Sequence, residues 1–544
     1  MSGGDSQYAA DRAPRTGADD AALWRRFRGV GGEDAKIGAV QRLKQTGPVP
    51  QGFTLHLADL VPPDTLRGEA LMRDVWRIGM SRMTLEPGQS PWSVPMPSKH
   101  VADRLHRFAW LPDLFSQGDE GAIRARHHVD TWIEMYGGFN GFAWRTDPTA
   151  ARLWHWLRCG EDLFEEGPEP ARQARLACLL HQLRYLESQS DAAVDPKARW
   201  MAAVVQVAGA LCFNDRPALN LALDRLDAEC TAQILPDGGH VSRAPSRLLF
   251  CLLQLQTLEE LLTRAGIEPP DYFGKWIPRM GAMLAFFQTG DGALNPFNDG
   301  DESRPEVVDA ALSRLPAPPR RFTFAPKSGF QKLEKHGLRL VLDCGAAPGL
   351  PFGDQAAVRR TSAHSTLILS GRDSATFSLN DSTRLLSASG PDGISAKRLE
   401  EADEIWLDAQ HGGYKPAHGL LHRRRLFMAG DGRRLAGEDS LVRPISQTPA
   451  EDRKFINFEI RFHLHPTVEA MMGKDAIRLI CENGAVWRFK TSHEGARLER
   501  TAYLARGVVE RPEQIVIAGF ADPNSDGTEP PNCVRWAFVK EPSA

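Results

Sequence analysis

Residues 291–300 read Asp-Gly-Ala-Leu-Asn-Pro-Phe-Asn-Asp-Gly, and a Pro-rich joint, Arg314-Leu-Pro-Ala-Pro-Pro-Arg-Arg321, comes soon after. Upstream of this stretch the apolar residues recur with the period of a helix, and downstream with the period of a strand. A change of period at a Pro-rich segment marks a domain boundary, expected here between Ser313 and Ser328. The expected fold class is therefore α+β in two domains, helices first and antiparallel strands second.

Working back from the joint, Leu176, Leu179, Leu180 and Leu183 fall at i, i+3, i+4, i+7 and share one helix face, with Arg175, Gln182 and Arg184 pointing elsewhere. A second helix is bracketed by Ser246 as N-cap and Gly266 as stop. Between these lies Trp200–Phe213, apolar on all sides and expected to be buried all round. Its length is short of the roughly 20 residues a bilayer span needs. Helices of these two kinds suit a double-layered toroid and equally a bundle. Residues 1–20, rich in Gly, Ala and Asp, are expected to be disordered.

Working forward, Leu338–Leu342 and Thr366–Leu369 are strand-like, and Asn483-Gly484 sits between two β-prone runs, a strong hairpin signal. Asp431-Gly432 offers a second hairpin, and Val534–Val539 a last strand. Many short strands at close spacing argue for a sandwich.

The 544 residues carry 66 basic and 69 acidic side chains, a formal charge of −3. That balance provides no basic field for nonspecific nucleic-acid binding, so an acidic polymer has to meet a local basic patch. The eight cysteines include no C-x-x-C pair and read as buried free thiols. Free thiols, and an N-terminal sequence without the pattern of a secretory signal, give a cytoplasmic expectation.

Asp237-Gly-Gly-His240, Ser328–Leu333, Leu340–Gly345, Ala363-His-Ser-Thr-Leu367 and His411-Gly-Gly-Tyr414 resemble segments of the heparinase II/III family. The resemblance extends over nearly the whole chain. It implies an α/α toroid over residues 21–315, a β-sandwich over 316–544, and eliminative cleavage of acidic, uronate-containing polysaccharide. It also implies a periplasmic or envelope location, in contrast to the cytoplasmic expectation. Two alternatives stand beside the lyase: a noncatalytic glycan-binding relative, and a toroid glycoside hydrolase using carboxylates such as Asp237, Asp291 or Asp299. The implied partner is an acidic polysaccharide or oligosaccharide, with no nucleic acid and no transmembrane segment. The oligomeric state is open, a homodimer being one option.

β-Elimination needs a neutralised carboxylate, a base for the adjacent C–H, and an acid for the leaving oxygen. Arg247 stands at the position of the family's Tyr, and being permanently protonated it can pair a carboxylate but cannot be a base. The expected catalytic residues are therefore Tyr414, His411 and His240, with Arg243 or Arg247 on the carboxylate. The dense run His411–Arg425 adds His422 and Arg424 as substrate contacts, while Asn140 and Trp144 offer a carboxylate contact and a sugar-stacking ring. The resemblance assigns Asp343 and His364 as metal ligands, an incomplete set for zinc, which usually takes at least three protein ligands. His463 and His465 form a His-x-His pair that reads as structural.

Overall fold

The computed structural model describes residues 49–544 except Met80, 190–194, 335–339, 346–355, 381–384, 447–448, 450–453 and 543–544. The expectations for residues 1–20 and for the first part of the toroid, up to residue 48, lie outside the described residues. Two compact units emerge: one gathers the chain up to Val241 with Leu249–Gly281 and Ala310–Pro319, the other Ser242–Leu248, Ala282–Asp309 and everything from Arg320. The last change of unit, at Pro319, lies in the Pro-rich joint. Yet the second unit also takes two segments that period alone placed with the helices.

The first unit is helical, and its helices start and stop where local chemistry dictates. Asp195 caps Pro196–Cys212 by accepting from Lys197 N at 3.0 Å, with Pro196 at the first helical position, where its missing N–H costs nothing. This helix is buried over nearly its whole circumference, as its composition demands, and packs on Thr146–Arg158 and Arg216–Gln233. In Glu169–Gln189 the Leu176, Leu179 and Leu180 face is buried, but so are Arg175 and Gln182, contrary to the sequence reading. Arg175 chelates Asp130 at 2.6 and 2.7 Å, and Gln182 accepts from Arg152 at 2.7 Å, so both are buried with partners. Ser246 does not cap the helix Pro245–Arg264. It lies inside the first turn and accepts from Asp301 N at 3.1 Å instead. Gly266, at φ 67°, closes that helix as expected.

Trp76, Trp92, Phe108, Trp132 and Trp156 are buried in an aromatic core, and the guanidinium of Arg152 stacks 4.3 Å over Trp132. Burial lowers this arginine to about 9, and hydrogen bonds to Gln182, His106 O, Ala143 O and Thr149 hold it in place. All eight cysteines are buried and free. Among the described residues no helix is long and apolar enough to cross a membrane.

The second unit is a sandwich of antiparallel sheets. Eight strands run in the order 468–472, 477–481, 486–491, 533–540, 434–442, 421–428, 404–411, 395–401. The facing sheet is built on Ile456–Leu464, flanked by Glu513–Ala521 on one edge and by Val341–Leu342 and Leu367–Leu369 on the other. Both expected hairpins form: Ile480 pairs with Val486 across Asn483-Gly484, and Met428 with Leu435 across Asp431-Gly432. The expected last strand forms as Cys533–Lys540, in the middle of the large sheet. Phe462 of one sheet packs on Trp536 and Phe538 of the other at 4.8 and 5.6 Å, which places the core between the two layers.

Candidate functional site

The residues singled out by sequence separate into those the fold consumes and those it leaves open. Tyr414 is 1% exposed and donates its hydroxyl to Leu367 O at 2.7 Å, and burial pushes its pKa up, away from the range of a working base. It is a core residue of the sandwich, not a catalytic one. His411 is equally committed. The N–H of Gly413 can only donate, so Nδ1 of His411 accepts it at 3.1 Å, which leaves the proton on Nε2, 3.1 Å from Nδ1 of His422. His422 in turn has Nε2 2.8 Å from Oδ1 of Asp439. Asp439, 0% exposed, also takes two hydrogen bonds from Arg424 (2.7 and 3.0 Å) and one from Trp536 Nε1 (2.8 Å).

Alternation explains this network. His422 and Arg424 point inward from their strand, and Asp439 shares the inward parity of Leu435 and Leu441 on the next. Burial is opposed by the Arg424 charge and the His422 hydrogen bond, and the outcome is an Asp439 carboxyl held far below the usual range. Burial, with the neighbouring His422 and Arg424, lowers His411 to about 3. With Arg424 Nη1 also donating to Ser365 O at 2.6 Å, neither His422 nor Arg424 is a substrate contact. The densest titratable run in the chain is an internal polar brace.

The candidates that precede the Pro-rich joint are disposed of in the same way. Trp144 is 2% exposed, bonds Tyr136 O at 2.8 Å, and packs edge-on against Tyr185, so it presents no face to a sugar. Asn140 Oδ1 accepts from Phe142 N and Ala143 N at 3.0 and 2.9 Å, the pattern of a turn-forming Asn. His240 is buried, with Nε2 3.3 Å from Gln233 Oε1 and its backbone bridged to Ile234. Asp237 and Asp291 shape two copies of one turn: Leu235 N bonds Gly239 O at 2.7 Å, and Thr289 N bonds Ala293 O at 2.9 Å. Arg247 is half-buried in the first turn of its helix. Arg243 is exposed at φ 57°, with its Nε committed to Ser328 O at 2.8 Å.

What remains open is a polar cavity of about 240 Å³ within the second unit, lined by Asn298, Asp299, Asp343, Arg359, Thr361, His364 and Ser374 among others. Three segments build it. Asn298 and Asp299 stand at φ 52° and 66°, left-handed conformations that Asn and Asp tolerate better than other residues, and the strain is held by Gly300 N bonding Phe297 O at 2.9 Å. Gly300 itself is obligatory, since a Cβ there would lie 2.7 Å from Phe297 O. The short helix Thr361–Ala363 is anchored by Asp373, which accepts from Thr361 N at 2.8 Å, and Ala363 O accepts from Cys344 N at 2.9 Å. That last bond sets Asp343 beside His364, Oδ2 to Nδ1 at 2.9 Å.

The charges in this cavity perturb one another. Burial opposes the protonated form of His364, but the hydrogen bond and charge of Asp343 prevail and raise its pKa above the ordinary 6.5. Burial raises the carboxyl of Asp299 above the ordinary 3.8 against the pull of Arg359, whose Nε lies 3.5 Å away, and of His364. An imidazole and a carboxylate, both with raised pKa, thus share one polar space with a guanidinium. Among the described residues no third His, Cys, Asp or Glu joins Asp343 and His364, so the donors present fall short of a zinc site. His463 bonds Ser362 O and Thr501, each at 3.1 Å, and is structural as expected. Sequence reading missed Arg359 and Asp439. The signals were an Arg-Arg pair just before Thr361-Ser-Ala-His364, and an acid at an inward strand position.

Residues 332–537 match the family described as Heparinase II/III-like, C-terminal. Over 539 residues the chain is 29% identical to FtsZ-localized protein C of Caulobacter vibrioides, covering 92% of each. Among solved structures, heparinase III matches with a TM-score of 0.63 at 14% identity, over 98% of this chain and 93% of that one. A heparan sulfate lyase mutant from Pedobacter heparinus matches with a TM-score of 0.51 at 13% identity, over 97% and 89%.

Proposed function

Because residues 332–537 match the Heparinase II/III-like C-terminal family and the described residues resemble heparinase III in fold, we propose that the protein cleaves an acidic polysaccharide by β-elimination in the cavity of Asp299, Arg359 and His364. The observation that carries this reading is the placement of the Asp343–His364 pair, at 2.9 Å, in one cavity with a carboxylate and an arginine. In the free protein Arg359 pairs with Asp299. A uronate carboxylate would compete for the guanidinium, stabilising the enolate-like transition state by a few kcal/mol, a typical scale for one well-placed electrostatic partner. Asp299, released, takes the proton from the carbon bearing that carboxylate. His364, oriented by Asp343, protonates the glycosidic oxygen as its C–O bond breaks and the sugar C=C bond forms.

The test is incubation with polygalacturonate and other uronate polymers, following the ultraviolet absorbance of the unsaturated product. Product from the parent protein and none from the Asp299→Asn variant supports the reading. Reducing ends without absorbance would turn it toward hydrolysis, with Asp299 as a carboxylate of that chemistry.

A second reading draws on the likeness to the FtsZ-localized protein, which covers 92% of both chains at twice the identity seen to heparinase III. On it the protein localises with FtsZ, as a glycan-binding relative that does not turn over substrate. Burial of Tyr414 is consistent with this. Colocalisation of a fluorescent fusion with FtsZ, together with binding but no product on every uronate polymer, would favour it.

A further inference from the structure

A concavity of about 660 Å³ lies on the outer face of the eight-stranded sheet, apart from the cavity of Asp299, Arg359 and His364. The strand register organises it into two rows. Leu399, Trp406, Phe427, Ala436 and Ala537 stand opposite one another across successive strands, an apolar strip ending at Lys490. Two residues along, Lys397, Asp408, Arg425, Glu438 and Arg535 form a parallel charged row. Trp406 is 47% and Leu399 58% exposed, and the rings of Trp406 and Phe427 lie 4.3 Å apart. The two alanines keep the floor beyond the rings flat.

Charge decides what such a surface suits. In a chain of net charge −3, six cations line this concavity against two carboxylates. Among the described residues Lys397, Arg434 and Lys490 carry no ion pair, whereas Arg425 and Arg535 share Glu438. Exposed aromatic faces suit the apolar faces of sugar rings, and unpaired cations on both flanks suit carboxylate or sulfate substituents. An acidic peptide adding as a strand would pair along the edge strand Ser395–Glu401 and leave Trp406 and Phe427, on strands paired on both sides, uncovered. A membrane surface favours protruding apolar groups over a recessed strip rimmed by charge.

We propose that this face is a second, noncatalytic platform that binds an anionic oligosaccharide, stacked on Trp406 and Phe427 and flanked by Lys397, Arg434 and Lys490. It rests on the reading above only for the class of sugar, and shares none of its residues. Calorimetric titration with polygalacturonate oligomers tests it, with dextran, polyglutamate and phosphatidylglycerol vesicles as comparison probes. Polygalacturonate should bind at least tenfold tighter than the other three. Trp406→Ala, at an exposed position that spares the fold, should weaken binding about tenfold or more. Lys397→Glu combined with Lys490→Glu should weaken it further and remove its salt dependence. Absence of polygalacturonate binding, binding indifferent to Trp406, or equal binding of polyglutamate or vesicles overturns the proposal. Binding that depends on Trp406 without any product keeps the platform and removes the lyase reading. Product formation with parent-like affinity in Trp406→Ala does the reverse.

Discussion

Two clusters of His, Arg and Asp occupy the same β unit and have opposite fates. In the brace, His411, His422, Arg424 and Asp439 satisfy one another so fully that both ring nitrogens of each histidine and both carboxylate oxygens are in use. In the cavity, Asp343 orients His364 while Asp299 and Arg359 stand 3.5 Å apart on a polar wall that a ligand can reach. The residue types are nearly identical. The difference is access: charges closed inside the sandwich on internal partners stabilise the fold, and charges that line a cavity can act on a ligand that enters it.

The comparison breaks most visibly at Asp439. Asp439→Ala should leave Arg424 and His422 buried without their anion and cost about 3–5 kcal/mol, the usual penalty for breaking one side of a buried pair. Urea unfolding of the β unit would show it; an unchanged midpoint would mean that the brace contributes nothing. Next, His364→Gln should leave that midpoint within about 1 kcal/mol and lower turnover of a uronate polymer about a hundredfold or more, the range of general acid–base help. Turnover that survives would remove His364 from the chemistry.

Tyr414→Phe sharpens the contrast from the other side. It deletes one hydrogen bond to Leu367 O and should cost about 1 kcal/mol of stability while turnover stays at the parent level. The smallest effect is in titration. His411, lowered to about 3, stays neutral in the folded state, so its contribution weakens as pH falls below 6.5, where the unfolded chain takes up the proton first. His364 has the opposite sign: its raised pKa contributes stability below 6.5 that is lost as pH rises through the folded value. Imidazole resonances followed by NMR should titrate above 6.5 for His364 and remain those of neutral His411 down to about pH 4.

Much of the fold was legible because its signals are local. Asn483-Gly484 and Asp431-Gly432 form their hairpins, Gly266 ends its helix, and the apolar run from Trp200 is buried. The site was legible only in part. Asp343 and His364 were named and do meet, because one backbone bond between Cys344 and Ala363 brings their segments together. Tyr414 and His411 were misjudged because residue density says nothing about pairing with Leu367 or about which parity of a strand faces inward. Arg175, Gln182 and Arg152 escaped for a related reason: a polar side chain goes inside when a partner distant in sequence is waiting there, and periodicity registers only apolar residues. Asp299 and Arg359 lie 60 residues apart in numbering and owe their meeting to the inclusion of 282–309 in the β unit.

The claim that chemistry belongs to the cavity and not to the brace is tested most directly by one assay. Parent, His364→Gln and Tyr414→Phe proteins are incubated with the same uronate polymer, and the absorbance of unsaturated product is followed. Product from the parent and from Tyr414→Phe, with little or none from His364→Gln, is the expected result. Product from His364→Gln and none from Tyr414→Phe would contradict it.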